Sequence, residues 1–192
     1  DNSLQGYYFY LVSGHGGPDP GAVGTRHGHQ LCEDEYAYDI TLRLARKLIE
    51  HGAVVYVIVR DPNDGIRDDQ ILHQDWDEYY FGGSRISSRT RTRLQKRADI
   101  INRYYMQNRG KAKEQYTIIL HVDSRIERQR IDIFYLYQAH NIESLRLARQ
   151  LYYTVKEKYA AVQPGRGYRS RISKRDLFML RHTQPATVYI EL

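Results

Sequence analysis

The chain has 192 residues, 41% of them hydrophobic and 27% charged, with a formal net charge of +6 and a mean hydropathy of −0.68; this is the composition of an ordinary globular domain with one core. A lone cysteine, Cys32, excludes an intramolecular disulfide framework and thiolate zinc fingers. No apolar run approaches the ~20 residues that span a bilayer, and Asp1-Asn2-Ser3-Leu4 shows no basic-then-apolar export signal.

In chain order, Tyr7 to Val12 is a nearly continuous apolar run and reads as a buried strand. Glycines and prolines from Ser13 to Gly28 then leave no regular element. From Glu35 onward, Tyr38, Leu42, Ala45 and Ile49 follow the period of an amphipathic helix, which Gly52 ends. Val54 to Val59 is a second strand. Residues 61–93 form an irregular excursion rich in acids and aromatics within a single domain spanning 1–192. Leu94, Ala98, Ile101 and Tyr105 mark the next helix, stopped at Gly110, and Tyr116 to Val122 is a third strand. Arg130 to Tyr137 alternates as a fourth strand near a sheet edge. Leu145 to Tyr159 is a long helix, Gln163 to Arg175 a polar connection, Leu177 to Leu180 a short apolar piece, and Ala186 to Leu192 a last strand. Alternating strands and helices imply an α/β fold of three layers, a mostly parallel central sheet with helices on both faces.

Such sheets gather function at the carboxyl ends of their strands. His15 follows the first strand between glycines, His121 ends the third, Glu35 heads the first helix and Glu191 ends the last strand. Two imidazoles and a carboxylate suffice for a catalytic zinc ion, and a further carboxylate serves as general base. Each residue alone has an ordinary structural reading, a helix-dipole partner for Glu35 or a solvated terminus for Glu191; their convergence makes the case. His27 and His29 form an alternative His-x-His pair on a loop without a rigid frame. Cys32 reads as buried and inert. The 18 tyrosines and the basic balance suggest single-stranded nucleic acid, but the charge is dispersed. Its densest run, Arg85 to Arg97, reads as a solvated helix face, so no nucleic-acid partner is expected.

The run Gly14-His15-Gly16-Gly17-Pro18-Asp19-Pro20-Gly21-Ala22-Val23-Gly24 resembles the opening motif of the zinc-dependent N-acetylmuramoyl-L-alanine amidases of the type 3 family. Further similarities follow in family order: Glu35 opening a helix, Arg60 closing a strand, Arg97 and Asn102 on the next helix, Ile119-Leu120-His121, Ser144 with Ala148, and Pro185-Ala186-Thr187-Val188-Tyr189-Ile190-Glu191. The resemblance implies Zn2+ held by His15, Glu35 and His121, Glu191 as catalytic acid/base, and hydrolysis of the amide joining N-acetylmuramic acid to L-alanine in peptidoglycan. Glu33 and Asp34 are neighbouring alternatives to Glu35, which is favoured because its offset from Asp39 and Leu42 sets it one turn above the buried stripe. Asp123, standing where the family usually has Asn, is a candidate supporting residue, with Arg97 and Asn102 as further supporting or substrate-binding candidates. A periplasmic or secreted location follows from the substrate, with any signal peptide removed, and the partner is the anionic, sugar-rich wall polymer, with an activator protein as a further expectation. The 61–93 excursion, with Trp76, Tyr79, Tyr80 and Phe81, is expected to cover the site or bind a glycan or regulator. A zinc peptidase of related fold and a non-catalytic wall-binding domain are the competing readings.

Overall fold

Strand-forming runs separated by helices assemble, in a computed structural model that describes residues 1–122 and 131–192, into a six-stranded sheet flanked on both sides. The strands are β1 (Tyr7–Ser13), β4 (Val54–Val57), β7 (Glu114–His121), β8 (Ile133–Tyr137), β9 (Ser170–Lys174) and β10 (Ala186–Glu191), in the order β4-β1-β7-β10-β8-β9. β4, β1, β7 and β10 are mutually parallel; β8 runs antiparallel to β10, and β9 is parallel to β8. The helices are α1 (Glu33–Glu50), α2 (Thr90–Asn108), α3 (Ile142–Val162) and the short α4 (Phe178–His182).

The two-residue period of a strand sorts the central side chains between two cores. Phe9 and Leu11 of β1 with Ile118 and Leu120 of β7 face Ala45 of α1 and Leu147 and Ala148 of α3. Tyr10, Val12 and Ile119 face the opposite way, toward Ala98, Ile100 and Ile101 of α2 and Met179 of α4. The expected three-layer architecture is thus present. Many tyrosines are core residues here. Tyr10, Tyr80 and Tyr135 are fully buried, and two keep their hydroxyls satisfied, Tyr10 donating to Gln115 Oε1 at 2.6 Å and Tyr135 meeting Tyr168 at 2.8 Å.

The structure departs from the sequence expectations at several elements. The glycine-rich loop is not wholly irregular: β2 (Val23–Arg26) and β3 (His29–Cys32) form a hairpin. Its turn is His27-Gly28, both with positive φ, 51° and 82°, which is the conformation that matches a tight hairpin to strand twist. β2 is exposed throughout, so no hydrophobic alternation announces it. Likewise β9 lies inside the stretch read as a polar connection; as an edge strand it needs little apolar surface, and it takes the edge position that had been expected of β8. The 61–93 excursion is not wholly irregular: β5 (Val59–Arg60), just before it, pairs with β6 (Tyr79–Tyr80) inside it, and α2 already starts at Thr90. Finally, α1 begins at Glu33, two residues earlier than its hydrophobic stripe suggests.

Candidate metal and catalytic site

β1, β7 and β10 end side by side, and the polar groups at their ends meet the start of α1. Leaving β1, the backbone turns sharply at His15, which adopts a positive φ of 63°. That conformation is uncommon for a residue with a Cβ and marks a position held by its surroundings. Gly14 N–H donates to Leu120 O at 2.7 Å, Gly16 N–H donates to Asp19 O at 2.8 Å, and the buried Arg97 guanidinium donates to His15 O. The flanking glycines are sterically required. A Cβ on Gly14 would lie 2.4 Å from His121 Cε1, and one on Gly21 would lie 2.5 Å from His15 Cδ2 and 2.7 Å from Glu33 Oε2.

Within this cradle, Glu33 stands between two imidazoles. Its Oε1 lies 2.8 Å from His121 Nδ1, and its Oε2 lies 3.1 Å from His15 Nε2. Ala22 N–H also donates to Oε2 at 2.9 Å and Val122 N–H to Oε1 at 3.3 Å. Burial pushes this carboxyl up, but the bonds from His121, His15 and Ala22 pull it further down, well below the usual carboxylate range. Burial lowers His15 as well, yet Glu33 and Asp19 more than offset it and raise the imidazole. At His121 burial prevails over Glu33 and lowers it. His121 also stacks on Tyr189, with ring centroids 4.5 Å apart.

One donor atom from each of His15, Glu33 and His121 lies within 4.8 Å of the others. Donors bound to one zinc ion at about 2.0–2.1 Å stand roughly 3.3 Å apart in a tetrahedral arrangement, so the three residues fit such an ion in chemistry and in spacing. The expected Glu35 is not part of this group. It forms an ion pair with Arg67 at 2.8 Å and accepts from Asp75 N–H at 3.3 Å. The reason is the start of α1: residues two apart on a helix point about 200° from one another, so with Glu33 turned to the imidazoles Glu35 faces the 61–93 segment. Burial pushes Glu35 up, and Arg67 only partly offsets it.

A family model described as N-acetylmuramoyl-L-alanine amidase matches residues 10–192. The chain belongs to that amidase family. Among solved structures, AmiC2 of Nostoc punctiforme superposes with a TM-score of 0.59 at 19% identity, over 97% of this chain and 79% of that one. The CwlD amidase of Clostridioides difficile, solved in complex with the GerS lipoprotein, gives 0.60 at 21% identity, over 96% and 80%. The catalytic domain of CwlV from Bacillus (Paenibacillus) polymyxa gives 0.56 at 19%, over 96% and 78%. Comparison with curated proteins returned no match.

The other sequence candidates in this amidase separate clearly. Glu191 is the β-register partner of His121 and lies, by strand alternation, on the same face as Tyr189; Leu192 N–H continues the ladder to His121 O at 3.0 Å. Burial first, then the neighbouring Glu191 carboxylate, hold the Tyr189 hydroxyl protonated far above its ordinary range. Arg97 is buried at the site and fixes the His15 carbonyl. Asn102 is a fold staple: its amide donates to His182 O at 2.7 Å and its Oδ1 accepts from Gln184 N–H at 2.8 Å. Asp123 lies outside the described residues. His27 and His29 sit on the exposed hairpin, away from the three converging donors. Cys32 is buried, donates to Gln74 Oε1 at 3.2 Å, and has its thiol pushed up by burial, all of which oppose thiolate chemistry.

Sequence reasoning overlooked Asp19 and Arg93. Asp19 Oδ2 lies 3.0 Å from His15 Nδ1 and accepts from Arg93 Nη2 at 2.6 Å, orienting the ring through its second nitrogen. Arg93 also donates to Ser88 O at 2.7 Å and is buried, as is Arg97. The basic run read as a solvated face is therefore divided: Arg89 and Arg91 are exposed, whereas Arg93 and Arg97 point inward. Their spacing of four, in phase with Leu94, Ala98 and Ile101, was the available signal. Beside them a cavity of about 230 Å³, lined by His15, Arg93, Arg97, His121, Phe178 and Tyr189 among others, opens next to the imidazoles. In the 61–93 segment, Tyr80 is buried and Phe81 stacks under Arg60 and against Tyr56 and Tyr104, so these aromatics anchor the segment; Trp76 is exposed.

Proposed function

We propose that this amidase is a zinc hydrolase of bacterial peptidoglycan, acting outside the cytoplasm as a single catalytic domain on the amide between N-acetylmuramic acid and L-alanine. The observation that carries the reading is the convergence of His15, Glu33 and His121 at the carboxyl ends of β1 and β7, in a chain of this family. His15, Glu33 and His121 would hold the ion, with Glu33 in place of Glu35. A zinc ion bound there lowers the pKa of a bound water and polarises the scissile carbonyl.

The chain's own groups supply the rest. Asp19, held by Arg93, keeps His15 Nδ1 engaged so that Nε2 faces inward. Arg97 fixes the strained His15 backbone and puts positive charge beside the cavity, where an oxyanion would form. Glu191, beside His121 in the sheet, takes the proton of the attacking water on its carboxylate and passes it to the leaving L-alanine nitrogen. The cavity of about 230 Å³ accommodates the groups flanking the scissile bond. The CwlD amidase, solved in complex with the GerS lipoprotein, supports the idea that this chain works with a protein partner, for which an activator is the proposed role.

The test is product analysis. Purified zinc-loaded protein is incubated with peptidoglycan, and soluble products are read by mass spectrometry for free L-alanine amino termini and peptide-free glycan. Cleavage within the stem peptide, or binding without products, overturns the reading. So does a fully active protein that contains no stoichiometric metal.

A further inference from the structure

A second group of acids adjoins Glu33 in the first turn of α1. Ligand atoms of Asp34, Glu35 and Glu78 lie within 4.8 Å of one another, and all three residues are buried. Glu78 also belongs to an adjoining group with Asp61 and Asp75. Asp34 is 2% exposed, and among the described residues neither of its carboxylate oxygens has a hydrogen-bond partner. The Gln74 amide faces it and eases its burial, but closes no bond of good geometry: Gln74 Nε2 is itself unpartnered, and Gln74 Oε1 is committed to the Cys32 thiol.

Hydrogen bonds leave room for another ligand at the remaining members. Glu78 Oε2 accepts from Gly17 N–H at 2.8 Å, and Glu35 accepts from Arg67 and Asp75 N–H. An ionised carboxylate offers about four acceptor positions, so none of these oxygens is saturated. Arg67 is shared between Glu35 and Asp64 and leaves Asp34 and Glu78 uncompensated by it. Buried like charges this close are stable only when a counter-charge or a proton is added.

We propose that Asp34, Glu35 and Glu78 form a second cation site, specific for a hard divalent ion of the Ca2+ class, that ties the 61–93 segment to the first turn of α1. An all-oxygen donor set selects against zinc and for calcium or magnesium. Ca2+ takes about six to eight oxygen ligands in flexible geometry, which suits three protein carboxylates supplemented by neighbouring acids and water, whereas Mg2+ demands a near-ideal octahedron and is seldom held by an all-protein cage. Bound water and the nearby Asp61 and Asp75 complete the coordination. The consequence is mechanical. Asp34 and Glu35 directly follow Glu33, and Glu78 holds Gly17 of the His15 loop, so one ion braces both elements that carry the imidazole-linked carboxylate and its first histidine.

The experiment titrates CaCl2 into the intact zinc-loaded chain by isothermal calorimetry, with melting temperature as a parallel readout. We expect one Ca2+ equivalent, a higher melting temperature, and at least tenfold weaker binding in both Asp34→Asn and Glu78→Gln. His15→Ala retains wild-type Ca2+ binding because it belongs to the other site. Absence of heat and of thermal shift up to millimolar CaCl2 in the wild type overturns the proposal without any variant. Binding unchanged in Asp34→Asn and Glu78→Gln, or lost in His15→Ala, overturns it too. None of these outcomes depends on which amide the enzyme cleaves.

Discussion

Gly14→Ala probes the site through a single methyl group. The added Cβ would lie 2.4 Å from His121 Cε1, 2.5 Å from Nδ1 and 2.6 Å from Nε2, whereas ordinary contact begins at 3.4 Å. His121 must therefore recede by about 1 Å, since a contact that short is strongly repulsive. Moving it strains two contacts that hold it: Tyr189 stacks on the ring with a centroid separation of 4.5 Å, and Glu33 holds Nδ1 at 2.8 Å. A shift of about 1 Å exceeds the roughly 0.2 Å tolerance of a metal–ligand bond and is of the size that costs about 100-fold in rate. We expect zinc affinity and kcat/KM each to fall by about two orders of magnitude, while overpacking lowers stability by only about 1–3 kcal/mol. The assay pairs zinc content by elemental analysis with release of stem peptides, and uses circular dichroism to confirm the fold. Gly24→Ala is the control, because nothing lies within 4 Å of its added Cβ. Gly14→Ala protein with wild-type zinc content and activity within threefold of wild type would refute the reasoning.

Glu33→Gln should abolish zinc retention during dialysis, whereas Glu35→Gln should retain the metal, because Glu35 pairs with Arg67 and lies outside the group formed by His15, Glu33 and His121; equal zinc loss in both variants would refute the distinction. Glu191→Gln is expected to keep zinc and the fold and to lower kcat by about 100- to 10,000-fold, as removal of an acid/base does; unchanged kcat would exclude that role. Asp19→Ala should weaken zinc by about 10- to 100-fold through loss of the His15 Nδ1 contact, read by competition with a chromogenic chelator. Trp76→Ala, at a side chain 71% exposed, should leave the denaturation midpoint within about 0.5 kcal/mol of wild type. A weaker peptidoglycan pull-down by that variant would then report direct contact with the wall polymer.

Much of the molecule was legible along the chain because its central strands and helices obey simple periods. Tyr7 to Ser13 alternates two cores on its two faces, and the α1 and α2 stripes repeat every three or four residues. The glycine-framed His15 and the polar ends of β7 and β10 likewise mark strand ends where chemistry collects. Legibility failed where an element lacks a buried face: the exposed β2 and the polar edge strand β9 carry no hydrophobic pattern to read.

By itself, then, the order of residues determined the α/β layering and marked His15, His121 and Glu191 as polar groups at neighbouring strand ends, since each follows from local pattern and strand connectivity. The choice among Glu33, Asp34 and Glu35 belonged to the tertiary structure, because consecutive residues in the first helical turn point in widely different directions and only the docking of α1 selects which meets the imidazoles. The burial of Arg93 and Arg97 was decided in the same way. Charge alone suits a solvated face; it is the packing of α2 against the His15 loop that turns these two guanidinium groups inward, to Asp19 and to the His15 carbonyl.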